Sequence, residues 1–169
     1  MANIRHYCFG ADGRAHESKL SGEMMFLKKN ILSQYEDFQD ECSDVDRLLH
    51  QALTSDHYSV FLVGPSDVTK TNQRGDTVSQ YMLNVVNYSN PNEPTSEFIK
   101  MNTYVTASGL PNGYNLSSKP VDFYRFNDDL QEKYREVVRT LESLNKSYDS
   151  SSQDLSSDDS QEPPSPRSL

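Results

Sequence analysis

The sequence has 169 residues and a formal net charge of -9. This length predicts one domain that is large enough to bury a core without disulfide bonds. Nucleic acids and anionic membrane surfaces require clustered lysine and arginine, so this acidic chain disfavours both as partners. A protein with a basic or mixed surface is a better match.

The residue content sets further limits. Hydrophobic residues make up 34% of the chain, so its ten tyrosines and seven phenylalanines must supply much of the buried area. The two cysteines, Cys8 and Cys42, show no zinc-binding spacing, and we expect no metal or cofactor. We predict a cytoplasmic protein without membrane insertion, because the N-terminus has no basic segment before a long apolar run.

The first part of the chain predicts a strand and two helices. Asn3–Phe9 is typical of a short strand. Apolar residues between Ser18 and Gln39 then recur at steps of three and four, the period of a helix. Ser43 or Asp44 begins a second helix, because such side chains accept hydrogen bonds from the free amides of a first turn. Its predicted inward face consists of Val45, Leu48, Leu49, Ala52 and Leu53.

Strand patterns follow one another in the central part. The predicted strands are Tyr58–Val63, Val78–Tyr88, Phe98–Val105 and Val121–Phe126, with a loop at Ser108–Gly113. Strands that are grouped rather than alternating with helices favour an α+β fold. We therefore expect an antiparallel sheet of three to five strands, packed with the two N-terminal helices and one long C-terminal helix.

That C-terminal helix is predicted over Asp128–Asn145, with Asn127 as its N-cap. We predict a single globular α+β domain over residues 1–148. Residues 149–169 are rich in serine, proline and acids, and cannot bury enough apolar area to offset the entropy lost on ordering. We predict a disordered acidic tail there.

Several motifs have a structural interpretation. Gly64–Thr71 nearly matches a phosphate-binding loop, but Thr69 replaces the second glycine and no helix is predicted next, which favours a polar hairpin. The tripeptide Arg74-Gly75-Asp76 is interpreted as a surface turn. Strand-region tyrosines could stack a ligand, although we favour a core role for them; they are Tyr81, Tyr88, Tyr104, Tyr114 and Tyr124.

Each cysteine could pair with a histidine as nucleophile and base, the candidates being His6, His16, His50 and His57. Cys8 alternates with Ile4 and His6 on one strand face, which favours a buried structural thiol. Cys42 lies in an acidic run that disfavours its thiolate. We therefore assign no catalytic residue.

Six acidic residues lie between Glu36 and Asp46. This run lacks the glycine of a calcium-binding loop, and we interpret it as a solvated helix junction or a docking patch for a basic partner. The tail adds acids and prolines that a partner could bind. The predicted partner-binding residues are Glu36, Asp37, Asp40, Glu41, Asp154, Asp158, Asp159, Pro163 and Pro166.

These features favour a small protein-interaction module without a catalytic site. The tail is similar in composition to the C-terminal translocation signals of bacterial type IV secretion effectors, and that resemblance implies non-classical secretion into a host cell, where the chain would act on a host protein. Two alternatives stay open. One is an enzyme of unfamiliar type, with a pocket near the 64–76 and 108–115 loops; the other is an acidic chaperone or adaptor for a basic partner. Convergent polar side chains such as His57, Tyr114 or Arg125 would favour the enzyme, and an exposed apolar patch would favour binding.

Overall fold

A computed structural model describes residues 4–9, 11–19, 22–37 and 39–156. Seven strands form one sheet. The elements in chain order are β1 (Ile4–Phe9), β2 (Ala15–Ser18), α1 (Gly22–Asp37), α2 (Asp44–Leu53), β3 (Tyr58–Val63), β4 (Thr69–Thr71), β5 (Thr77–Asn87), β6 (Thr95–Val105), β7 (Pro111–Leu116) and α3 (Asp128–Ser156), with short helical turns at Gln39–Glu41 and Phe123–Arg125.

The α+β class is confirmed, but the predicted sheet is wrong in size and direction. The strand order is β2-β1-β3-β5-β6-β7, and β4 pairs with β5 off this path. β1 and β3 run parallel, whereas the other strand pairs are antiparallel. The segment that contains α1 and α2 supplies the long connection that parallel neighbours require. The sheet is therefore mixed.

The missed strands have little of the pattern by which buried strands are recognised. In β2 only Ala15 is buried, and all three residues of β4 are exposed. β7 was predicted as part of a loop because it contains Pro111 and Gly113, and the latter has a φ of +103°. The strand predicted at Val121–Phe126 is also wrong. Its middle is the helical turn Phe123–Arg125, and Val121 forms only an isolated bridge to Phe98.

One face of the sheet packs against α1 and α2. Ser43, one of the two predicted N-caps, caps α2. Its side chain accepts a hydrogen bond from the Asp46 amide, while the Asp46 carboxylate accepts one from the Ser43 amide. This reciprocal cap fixes the first turn of the helix. The core on this face consists of Ile4, Leu27, Ile31, Val45, Leu49, Ala52, Leu53, Val60, Leu62, Leu83, Val85, Ile99 and Met101.

The opposite face of the sheet also carries buried side chains. Four successive residues of β3, Val60 to Val63, are buried, which is the pattern of a strand covered on both faces. On β6, Phe98 contacts Phe126 and Tyr134 at the start of α3. The beginning of α3 and the residues just before it therefore belong to the layer on this side.

The chain divides into two compact units, residues 1–134 and 135–169. The first contains the seven strands described above, α1, α2 and the start of α3. The second contains the rest of α3, which extends to Ser156. The predicted boundary at Tyr148 lies within this helix, and the part of the predicted tail from residue 157 onwards lies outside the described residues. No helix among the residues described has the length and apolar character needed to cross a bilayer.

Candidate functional site

The segment after β3, residues 64–71, is held against the start of α3. It lacks the geometry of a phosphate-binding loop, and we call it the anchor. Lys70 lies in β4 opposite Val78, and a turn and another strand follow it, so no helix begins directly after Lys70 as the phosphate-binding pattern requires. Gly64 has a φ of +135°, and a Cβ on it would lie 3.0 Å from the Tyr81 ring. This glycine is required by close packing rather than by a ligand.

Ser66 is the centre of this anchor and is only 3% exposed. Its hydroxyl donates to Asp129 Oδ1 at 2.8 Å and accepts from the Val68 amide at 3.1 Å. The Asp67 amide donates to Asp129 Oδ2 at 2.6 Å, and Lys133 Nζ donates to Asp67 Oδ1 at 2.8 Å. These polar groups bind one another and hold the loop on the first turn of α3.

The Asp129 carboxylate is stabilised in its charged form. Burial alone would raise its pKa. The Asp67 amide, the Ser66 hydroxyl and the Lys133 ammonium outweigh that effect and hold the pKa of Asp129 below its ordinary range. The charged Asp129 carboxylate therefore has a structural role, because it accepts the hydrogen bonds that hold the loop.

The hairpin between β4 and β5 brings together the two loops at which a pocket was predicted. Asp76 Oδ2 accepts hydrogen bonds from Asn72 Nδ2 at 3.3 Å and from Asn112 Nδ2 at 3.2 Å. The second bond joins the 64–76 and 108–115 loops. Asp76 is only 4% exposed, so the Arg74-Gly75-Asp76 tripeptide does not present its carboxylate at the surface.

Two of the polar residues proposed for an enzyme pocket, His57 and Tyr114, lie far apart along the sheet. The His57 carbonyl accepts from the Tyr88 amide, next to the end of β5. Tyr114 lies opposite Thr103, which pairs with Ser79 near the other end of β5. Nine residues of extended chain separate Tyr88 from Ser79, so these two positions lie roughly 30 Å apart along the strand. The Tyr114 hydroxyl accepts from Asn30 Nδ2 at 2.8 Å and so joins β7 to α1.

The predicted partner-binding residues are described only in part. Asp40 and Glu41 are exposed in the helical turn between α1 and α2. The side chains of Glu36, Asp37 and Asp154 are outside the described part of the structure, as are Asp158, Asp159, Pro163 and Pro166. Within the described residues, no group of three or more His, Cys, Asp or Glu side chains is placed to bind a metal ion.

Cys8 is half-buried and lies beside a histidine. Its Sγ is 3.6 Å from His6 Nε2 and 3.4 Å from Ser18 Oγ, and the same Ser18 oxygen is 3.2 Å from His6 Nδ1. Burial lowers the pKa of His6, and a hydrogen bond to the Gly64 carbonyl opposes that shift. The sequence placed Cys8 and His6 on one strand face, but it gave no sign of Ser18, because β2 was not predicted.

A connected set of aromatic rings reaches the surface near the start of α3. The Phe123 ring is 5.3 Å from Phe98, 5.4 Å from Tyr134 and 5.3 Å from Tyr124, measured between ring centroids. Tyr124 is 74% exposed and Tyr88 is 41% exposed. We call the four connected residues Phe98, Phe123, Tyr124 and Tyr134, together with the exposed Tyr88 near Tyr134, the aromatic surface.

The sequence indicated the tyrosines of this surface but favoured a core role for them. Tyr81 and Tyr114 do pack against the core, whereas Tyr88 and Tyr124 are exposed. Burial raises the pKa of Tyr134, a hydrogen bond with Ser96 opposes this, and the nearby Tyr88 adds to it. Comparisons with protein-family models, with curated proteins and with solved structures find no match.

Proposed function

We propose that this chain is a protein-binding module that accepts a basic, extended segment of a partner on its aromatic surface. The observation that carries the proposal is the exposure of Tyr124, whose ring extends a continuous aromatic network to solvent. Scattered exposed apolar residues are normal on proteins, but contiguous ones indicate binding. Tyrosine is enriched at protein interfaces because it combines a large apolar ring with a polar end.

The position of Tyr124 is set by its own turn. Asp122 Oδ1 accepts a hydrogen bond from the Tyr124 amide at 3.1 Å and caps the turn Phe123–Arg125. Phe123 supports the Tyr124 ring edge-on, at an interplanar angle of 82°. A side chain held in place before binding loses less entropy when a partner docks, which favours a role as an anchor.

The net charge of the chain determines whether it attracts a basic or an acidic partner segment. The net charge of -9 attracts basic partners and repels acidic ones. Exposed tyrosine rings add an attraction for lysine and arginine through cation–π contacts, each contributing about 0.5–1 kcal/mol at exposed sites. The nearby Lys100 ammonium is already engaged, because it donates to the Arg125 carbonyl and lies 5.8 Å from the Phe126 ring centroid.

The experiment measures fluorescence polarisation of two labelled peptides of equal length, one of arginine, lysine and glycine and the other of glutamate and glycine. We expect the full chain to bind only the basic peptide. Tyr124→Ala should weaken that binding by roughly fivefold or more, the loss of one aromatic anchor. Leu110→Ala is the matched control, since Leu110 is 63% exposed in the turn before β7.

Equal binding by wild type and Tyr124→Ala, or equal binding of the acidic peptide, would show that the aromatic surface is not the docking site. A Leu110→Ala loss as large as that of Tyr124→Ala would give the same conclusion.

That the chain is a secreted effector is a prediction from the composition of its tail, and it remains a prediction. Fusing residues 149–169 to a reporter enzyme tests it, because failure of a type IV secretion system to deliver the fusion would exclude a signal in this segment.

A further inference from the structure

Three side chains with exchangeable protons meet at one end of the β1–β2 pair. His6 lies directly opposite Ser18, and Cys8 lies two residues further along β1, on the same face. Ser18 Oγ is 3.2 Å from His6 Nδ1 and 3.4 Å from Cys8 Sγ. The serine hydroxyl therefore lies between the thiol and the imidazole, and it also lies 3.4 Å from the Lys19 carbonyl.

The position of the imidazole decides which nitrogen can accept a proton. Nδ1 is the ring nitrogen that faces Ser18, at 3.2 Å from its hydroxyl oxygen. The tautomer with its proton on Nε2 has Nδ1 as an acceptor for the Ser18 hydroxyl, and this is the tautomer that the proton route below uses. Because burial lowers the pKa of His6, the ring is neutral near pH 7 and available as a base.

The thiol does not reach this base directly. Cys8 Sγ is 3.6 Å from Nε2 and 3.9 Å from Nδ1. Nearly equal distances to both nitrogens put the sulfur off the in-plane direction along which either nitrogen accepts a proton. The chain of contacts from Cys8 through Ser18 to His6 Nδ1 is the aligned route.

We propose that Cys8 is a modification site that forms mixed disulfides with small disulfide compounds, its thiol proton passing through Ser18 to His6. In this reaction the Cys8 sulfur attacks one sulfur of the disulfide, so that a new S–S bond forms as the old one breaks. The Cys8 proton moves to Ser18 Oγ while the serine proton moves to His6 Nδ1. The departing thiolate then takes up the proton from His6. Cys8 is oxidised and half of the reagent is reduced, so no further oxidant is needed.

The chemistry favours the thiol over the serine as the nucleophile. A thiol is a much stronger acid than an alcohol, so a neutral imidazole generates a thiolate far more readily than an alkoxide. Acyl transfer to serine would also need donors aimed at an oxyanion, whereas disulfide exchange does not. Ser18 is exposed and Cys8 half-buried, which gives a small reagent access to the cluster.

The second cysteine provides the background for a test. In a Cys42→Ser chain, neutral dithiodipyridine reports the reaction of Cys8 through the absorbance of the released thiopyridone, and intact mass shows the mixed disulfide. We expect Ser18→Ala and His6→Gln each to slow this reaction by roughly tenfold or more, as loss of a general base does. His16→Gln is the control, because His16 lies opposite Cys8 but pairs with Asp12 at 3.5 Å.

Two outcomes would overturn the proposal. One is an unchanged rate in Ser18→Ala, and the other is a Cys8 that reacts no faster in the folded chain than in the same chain unfolded in urea. Circular dichroism checks the fold of each variant. If His6→Gln fails to fold, Ser18→Ala decides the result, since the exposed Ser18 side chain is replaceable without loss of core packing.

Discussion

Ser66 Oγ donates a hydrogen bond of 2.8 Å to Asp129 Oδ1 across 63 positions of the chain. The bond joins the loop after β3 to the first turn of α3. The Asp67 amide bonds the other oxygen of the same carboxylate. Since both oxygens of Asp129 are used, this carboxylate fixes where α3 begins, which in turn positions the turn that displays Tyr124.

The first prediction concerns the charge at this junction. Asp129→Asn should lower the free energy of unfolding by about 1–3 kcal/mol. The new amide NH₂ must face either the Asp67 amide, which is a donor, or the Ser66 hydroxyl, which already accepts from the Val68 amide and from Asn127 Nδ2. Urea denaturation measures the change. Asp128→Asn is the matched control, since Asp128 is exposed in the same helical turn. Equal effects of the two variants would show that helix-dipole stabilisation, rather than the anchor, explains the loss.

The second prediction concerns how the stability depends on pH, and it follows from the lowered pKa of Asp129. This group has a lowered pKa in the folded state, so it binds protons more weakly than in the unfolded chain. Its contribution to stability is therefore complete above the ordinary aspartate range and is lost as the pH falls below about 4. The stability difference between wild type and Asp129→Asn should shrink as the pH falls from about 6 towards 3. A difference that stays constant over that range would contradict this assignment.

The sequence predicted the elements whose signals are local. Ser43 and Asp46 form the cap of α2 within four residues, and the buried run in β3 is contiguous. The parallel pairing of β1 with β3 was missed, because it depends on contacts across the whole α1–α2 segment. The same limit applies to the sites. The contacts of Ser66 with Asp129 and of His6 with Ser18 join segments that no short pattern connects.

The exposure of the aromatic side chains was also difficult to predict from the sequence. Phe123 and Tyr124 lie in a segment that reads as a strand, and aromatic residues in strands are usually buried. Asp122 instead caps a helical turn there, which turns the Tyr124 ring to solvent. The sequence could thus name the residue but not its role.

A third prediction tests the junction of the two hairpin loops. Asp76→Ala should cost about 1–3 kcal/mol of stability, because the amides of Asn72 and Asn112 lose their shared acceptor. Arg74→Ala, in the same turn but exposed, should change stability by less than about 0.5 kcal/mol. Thermal unfolding followed by circular dichroism compares them. A neutral Asp76→Ala would mean that the two loops are held together without this carboxylate.

The core side of α2 permits a fourth prediction from two adjacent leucines. Leu49 is 2% exposed within the core, whereas Leu48 is half-buried at its edge. Leu49→Ala should destabilise the protein by about 2–5 kcal/mol, because it removes buried methyl groups and leaves a cavity. Leu48→Ala should cost less than half as much, since its site can fill with water or relax. Urea midpoints measure both, and a larger loss for Leu48→Ala would show that the helix is rotated from the orientation described.

The last prediction concerns residues 149–169. Their only apolar side chains are Leu155 and Leu169, so their removal forfeits little buried area. A chain ending at Tyr148 should keep its melting temperature to within about 2 °C, since each kcal/mol lost corresponds to several degrees in a domain of this size. Because α3 extends to Ser156, a chain ending there is the control that keeps the whole helix. A large loss in the shorter chain alone would show that residues 149–156 stabilise the fold, and a large loss in both would place that contribution after Ser156.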